Sequence, residues 1–103
     1  MFYTYILRSK KQPGAIYKGS TKDLKLRLVQ HNDPKSVQYS RRHAPWELET
    51  YIAFSKAEQA KAFELYLKSS SGKAFMSKHL ISNQFKEALK KFNNGRIVEG
   101  KRS

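Results

Sequence analysis

The stretch Phe2–Ser20, FYTYILRSKKQPGAIYKGS, decides how the rest of this 103-residue chain folds. Two short runs, Phe2 to Leu7 and Ala15 to Ser20, flank a polar loop containing Pro13 and Gly14, which is the local pattern of an antiparallel hairpin. Alternation across the first strand sends Tyr3, Tyr5 and Leu7 to one face and Phe2, Thr4 and Ile6 to the other. Tyr5 and Tyr17 then stand on adjacent strands. An aromatic pair in that setting is accounted for by cross-strand packing alone, so a chemical role for these tyrosines needs partners from elsewhere in the chain.

Immediately after the hairpin, Thr21 or Asp23 offers an N-cap, and LKLRLVQH, Leu24 to His31, carries a helix until Asn32, Asp33 and Pro34 stop it. Arg27 and His31 are an i, i+4 pair on this helix and can approach the same point. A permanently charged fork thereby stands beside a titratable imidazole. The connection from Asn32 to Pro45 is long for a compact domain. Its Lys35, Tyr39, Arg41, Arg42 and His43 suit a phosphate backbone and a base, or simply a solvated loop. WELETYIAF, Trp46 to Phe54, then reads as a third strand.

Ser55 and Glu58 have the spacing of a capping box for the next helix, AEQAKAFELYLKS. Its apolar positions Ala57, Ala60, Phe63 and Leu67 keep the helical period, and Glu64 falls on the shoulder of that stripe. A carboxylate there needs a cation, a metal or firm hydrogen bonds. Lys61 and Lys68 are within helical reach of it, so ordinary ion pairing is an alternative to metal binding. The run SSSG, Ser69 to Gly72, should break the helix, with another over Lys73 to Ile81 packing through Phe75, Met76 and Leu80. Residues 82–103 form a separate segment, read as a basic amphipathic helix with Phe85, Ala88, Leu89 and Phe92 on one face and a frayed tail.

The fold class expected from this order is α+β: a small three-stranded antiparallel sheet with an N-terminal hairpin, flanked by helices. Charge narrows the partners. There are 21 Lys and Arg against eight Asp and Glu, a net charge of +13, and a surface of that sign attracts polyanions. Nucleic acid leads; an anionic membrane or an acidic protein would be drawn by the same field. Cysteine is absent, which removes disulfides and thiolate metal sites. No apolar run approaches the roughly 20 residues of a membrane span and no leader precedes the hairpin, so the expectation is a cytoplasmic protein with no membrane segment. P-loop, dinucleotide, zinc and serine-nucleophile patterns are all missing.

What remains is two strand tyrosines, a helical Arg–His pair and a later helical Glu. Tyr3-Thr4-Tyr5 and Tyr17-Lys18-Gly19, then Thr21-Lys22-Asp23-Leu24 with Arg27, Leu28, His31 and Asn32, then Tyr39-Ser40-Arg41, Pro45-Trp46 and Ala60 to Lys68 with Glu64, resemble the GIY-YIG nuclease family in order and spacing. The likeness is to small stand-alone members similar to the nuclease domain of bacterial excision-repair enzymes. It covers about Phe2 to Ile81, so that residues 1–81 are read as the nuclease domain. Two positions depart from the pattern. Tyr3 stands where the family has glycine, and Lys18 where it has an aliphatic residue, pointing either toward Tyr17 or to the opposite face.

The resemblance implies hydrolysis of a DNA phosphodiester with Mg²⁺ or Mn²⁺, with DNA repair as the biological setting. Glu64 would hold the metal, Arg27 a phosphate oxygen, and Tyr5, Tyr17 and His31 the attacking water, with either Tyr5 or His31 as the base. Lys18, Lys35, Tyr39, Arg41, Arg42 and Lys68 are the candidate nucleic-acid contacts. Two other classes fit the same charge: a catalytically silent nucleic-acid-binding module, and a structural protein of a nucleic-acid assembly, with RNA as the alternative polymer. A domain this small would draw further contacts from a homodimer or a protein partner.

Overall fold

The hairpin forms as its alternation requires. In the computed structural model, which describes residues 1–12, 14–35, 42–82 and 98–99, strand β1 (Phe2–Ser9) pairs antiparallel with β2 (Ala15–Thr21). The register sets Tyr5 opposite Gly19 and Leu7 opposite Tyr17. Gly14 takes a φ of 96°, a left-handed conformation that glycine adopts without a Cβ penalty. Ser9 ties the turn together: its hydroxyl accepts from the backbone N–H groups of Lys11 and Gln12 and donates to the carbonyl of His43 at 2.5 Å.

Helix α1 (Leu24–Asn32) is capped by Asp23, whose Oδ1 accepts from the Leu26 N–H at 3.0 Å. Thr21 instead accepts from the Asp23 N–H. Strand β3 (Trp46–Phe54) joins the other edge of β1, with a register shift between Ile6 and Leu7. The three antiparallel strands expected are all present. A two-residue strand, β4 (Val98–Glu99), adds a parallel pairing on β2, giving the order β3-β1-β2-β4. The helix expected within residues 83–97 and the tail at 100–103 lie outside the described residues.

Two local expectations are corrected. The capping box of Ser55 and Glu58 does not form, because α2 (Ala57–Leu67) starts one residue later, with Lys56 at the N-cap and no side-chain cap bond. Glu58 is left in the first turn, where its charge faces the positive end of the helix. Nor does SSSG lead to a helix starting at Lys73. Ser69 caps α3 (Ser70–His79) by accepting from the Gly72 N–H at 3.1 Å, so the small residues are the helix's first turn. Gly72 is required there, since a Cβ would lie 1.7 Å from the Tyr66 carbonyl oxygen.

The two faces of the sheet carry separate cores. Ile6 and Ile16 pack with Leu67, Met76 and Ile81 under α2 and α3. Tyr5, Leu7, Ala15, Tyr17 and Trp46 pack with Leu24 and Leu28 of α1. Each fully buried aliphatic side chain contributes about 1.5–3 kcal/mol. Among the described residues no helix is long and apolar enough to cross a membrane.

Candidate active site

Strand alternation and one helical turn bring four of the five expected residues together on the α1 face. Tyr5 points from β1 toward α1, and its hydroxyl lies 3.0 Å from Nε2 of His31. Tyr17 stacks beside Tyr5, ring centroids 6.3 Å apart, and meets the His31 ring edge-on at 4.4 Å. Arg27, one turn before His31, places Nη2 3.4 Å from the same Nε2 and donates from Nη1 to Gln30 Oε1 at 2.8 Å. Tyr5 and Tyr17 are 1% and 2% exposed, and His31 is fully buried.

This packing fixes protonation. Burial, with the Arg27 charge adding to it, lowers the His31 pKa from 6.5 to about 4, so the ring is neutral at neutral pH. A guanidinium can only donate, and it shares Nε2 with Tyr5; that nitrogen therefore carries the lone pair and the Tyr5 O–H donates to it. Burial raises the Tyr5 pKa; Arg27 opposes this and the Glu64 charge adds to it. Burial alone would lower the Arg27 pKa, but the phenolic oxygens of Tyr5 and Tyr17 reverse that and keep the guanidinium cationic.

Glu64, the fifth residue, lies on α2 at the other face of the sheet, and its charge acts on the Tyr5 hydroxyl. It sits on the sheet-facing stripe of α2 between Ala60 and Leu67, and its side chain is 3% exposed. Ser20 donates to Oε1 at 2.8 Å, Lys68 to Oε2 at 2.9 Å, and Lys61 approaches Oε1 at 3.4 Å. Desolvation alone would raise the Glu64 pKa, but Lys68, Ser20 and Lys61 outweigh it and hold the carboxyl below its usual range. One helical turn away, a cavity of about 230 Å³ opens between the end of β2 and the start of α2, lined by Phe2, Ser20, Thr21, Lys22, Ala57 and Ala60.

The helix that carries Glu64 is pinned by the neighbours of the two tyrosines. Thr4 turns to the α2 face and donates to the Ala60 carbonyl at 2.6 Å, and Lys18 does the same to the Leu67 carbonyl at 3.1 Å. Lys18 was expected to meet nucleic acid; it is 1% exposed and faces away from the Tyr17 side, because alternation turns residues 17 and 18 to opposite faces. Its ammonium serves the carboxyl end of α2, the end that favours a cation.

The other candidate contacts are dispersed. Lys35 and Arg42 are exposed, Lys68 is half-buried on Glu64, and Tyr39 and Arg41 lie outside the described residues. Arg42 and Lys11 line a cavity of about 460 Å³ together with Asn32, Pro34, Ala44 and Pro45. The nearby His43 has its pKa lowered by burial and by the charges of Arg42 and Lys11.

Three residues hold roles that the sequence did not assign, although Gly19 and Asn32 stand in the motifs quoted from it. A Cβ on Gly19 would lie 2.5 Å from the Tyr5 hydroxyl, so the glycine is the seat of the phenol. Ser20 orients Glu64. Asn32 joins α1 to β3 by accepting from the Trp46 N–H at 2.6 Å and donating to the Trp46 carbonyl at 3.0 Å, which brings Trp46 edge-on to Tyr17. The signal for Gly19 was its place opposite Tyr5 in the hairpin register, and for Ser20 its parity with Thr4 and Lys18.

The GIY-YIG catalytic domain matches residues 1–79. A UPF0213 protein of Bacillus licheniformis is 35% identical over 71 residues, which is 69% of this chain and 71% of the relative. One of Streptococcus pyogenes is 30% identical over 82 residues, 80% of this chain and 87% of the relative, and one of Clostridium perfringens is 32% identical over 68 residues, 66% and 71%. With a catalytic-domain match across most of its length and a tyrosine, arginine and histidine cluster on the matched hairpin and helix, the chain belongs to the GIY-YIG family of nucleases, alongside the small UPF0213 proteins.

Proposed function

We propose that this protein is a divalent-metal-dependent endonuclease that hydrolyses DNA phosphodiester bonds at the Tyr5, Tyr17, Arg27, His31 and Glu64 cluster. The observation that carries the reading is the Tyr5 hydroxyl directed at the lone pair of a neutral, buried His31, with the Arg27 guanidinium alongside. That is a base held behind a phenol and next to a cation suited to a phosphate oxygen.

The donor chemistry fits a magnesium-type ion. Such ions keep several waters and use one or two carboxylates together with substrate phosphate, and Glu64 supplies one hard carboxylate with Ser20 holding its orientation. Among the described residues no group of three or more His, Cys, Asp or Glu is placed to hold a metal ion. When bound, the ion would supply Lewis-acid stabilisation of the phosphate and of the leaving oxygen.

The chain's own residues do the rest. As a water oxygen forms its bond to phosphorus, its proton passes to the Tyr5 oxygen while the phenolic proton moves to Nε2 of His31. Tyr17 lies alongside to orient the water or the phosphate, and Arg27 donates to a non-bridging oxygen as negative charge grows there. Tyr5 is favoured over His31 as the group touching water, because both Tyr5 and Arg27 already cover Nε2. The Tyr5 phenol stays protonated at neutral pH, so it takes a proton from water only as it passes its own to the neutral His31.

Purified protein incubated with plasmid, branched and single-stranded DNA and Mg²⁺ or Mn²⁺ tests this, with Glu64→Ala and Arg27→Ala in parallel. Metal-dependent cleavage that both substitutions abolish is the expected result. Cleavage undiminished in both would place the activity elsewhere, and binding without cleavage on every substrate would favour a silent DNA-binding module.

A further inference from the structure

We infer that Lys68 and a divalent cation compete for the same oxygen of Glu64, so that the metal site is latched by a lysine until that side chain swings away. The inference rests on the metal-dependent reading above and deepens it. A carboxylate has about four lone-pair directions, two per oxygen. On Oε1 both are taken, by Ser20 at 2.8 Å and Lys61 at 3.4 Å. On Oε2 the Lys68 ammonium stands at 2.9 Å. The direction left open to a metal ion is the second one on Oε2, beside a positive charge already seated there.

Lys68 is built to leave. Its side chain is 26% exposed while that of Glu64 is 3% exposed, so the lysine lies at the rim and the carboxylate at the base. It is at i+4 from Glu64 on α2, and a four-carbon stem can swing without moving the helix. Lys61 is 61% exposed and its nitrogen is farther off, so it is the weaker competitor. Glu64 needs such a partner when no metal is bound, because a buried unpaired carboxylate is costly. A cavity of about 230 Å³ lined by Ser20, Thr21 and Ala60 opens one helical turn from Glu64.

The test is a titration of Mn²⁺ into the full chain, bound ion being followed by loss of the free-ion electron paramagnetic resonance signal. Wild type, Lys68→Met, Lys68→Arg, Lys61→Met and Glu64→Gln are compared, and thermal melts show that each variant is folded. Lys68→Met should tighten Mn²⁺ binding on the order of fivefold, the factor a half-buried ion pair of about 1 kcal/mol imposes as a competitor. Lys68→Arg keeps a cation on Oε2 and should not tighten it, and Lys61→Met should have a smaller effect than Lys68→Met. Glu64→Gln should remove the site in either lysine background. Glu64-dependent binding that is unchanged or weakened in Lys68→Met overturns the latch and leaves the metal site standing. Binding indifferent to Glu64→Gln, or absent in every variant, overturns both.

Discussion

The Tyr5 hydroxyl donates to Nε2 of His31 across 3.0 Å, while Arg27 faces the same nitrogen from 3.4 Å. Both Tyr5→Phe and His31→Ala break this pair, and they should differ in their pH dependence. Tyr5→Phe removes the group proposed to meet water and should lower the cleavage rate on the order of a hundredfold or more at every pH. His31→Ala leaves a tyrosine with an upward-shifted pKa and no acceptor behind it, so its residual rate should keep rising into alkaline pH. Rate–pH profiles of the three proteins are the measurement. Profiles identical to wild type in both variants would remove Tyr5 and His31 from the mechanism.

Burial of His31 also sets a pH window for stability. Its folded pKa of about 4 lies below the ordinary 6.5, so between those values the unfolded chain binds a proton that the folded chain does not. Stability should therefore be level above about pH 6.5, fall as pH drops toward 4 by at most about 1.4 kcal/mol per pH unit, and lose no more from this group below that. Glu64, with its pKa held below the usual carboxylate range, contributes stability above that range that is lost only at still lower pH. Urea unfolding across this range, repeated with His31→Gln, should show the slope between 6.5 and 4 flattened in the variant.

Gly19 predicts a cost confined to one ring. A Cβ at this position would lie 2.5 Å from the Tyr5 hydroxyl and 2.7 Å from Cζ, and the ring is hemmed in by Tyr17 and His31. Gly19→Ala should destabilise by about 1–3 kcal/mol through overpacking. The displaced phenol should also slow cleavage on the order of tenfold to a hundredfold. In a Tyr5→Phe background the closest of these contacts is gone, so the same substitution should cost less stability, a non-additivity that a double-mutant cycle measures. Equal costs in both backgrounds would show that the phenol is not what Gly19 accommodates.

The sequence carried the hairpin, α1 and β3 because each has a local signal: alternation, a cap before an apolar run, or an aromatic strand after a proline. It also carried the Tyr5–Tyr17 and Arg27–His31 pairs, through strand alternation and one helical turn, while the resemblance to the GIY-YIG family is what joined them into one site. The start of α3 was misread because SSSG suits a cap as well as a break, and only the approach of Gly72 to the Tyr66 carbonyl decides between them. The roles of Thr4, Lys18 and Ser20 were hidden for a different reason. Each depends on how α2 lies across the sheet, and that placement involves partners 44 to 56 residues away in the chain.

Lys18 and Arg42 differ in exposure, and their removal should therefore differ in effect. Each Lys or Arg that neutralises a phosphate contributes about 0.9 to the slope of log affinity against log salt concentration. Arg42 is exposed beside Lys11, so Arg42→Ala should weaken DNA binding and flatten that slope by about one. Lys18 donates to the Leu67 carbonyl at 3.1 Å from a buried position, so Lys18→Met should leave the slope as it is. It should instead lower the melting temperature, because the Leu67 carbonyl loses a charged donor worth about 1–3 kcal/mol. Thr4→Val, which removes the donor to Ala60, should lower it by a similar route. Binding isotherms at several salt concentrations, with melts of the same preparations, distinguish the two classes. A flattened slope with an unchanged melt for Lys18→Met would return this lysine to the DNA-contacting surface and leave α2 pinned by Thr4 and Ser20 alone.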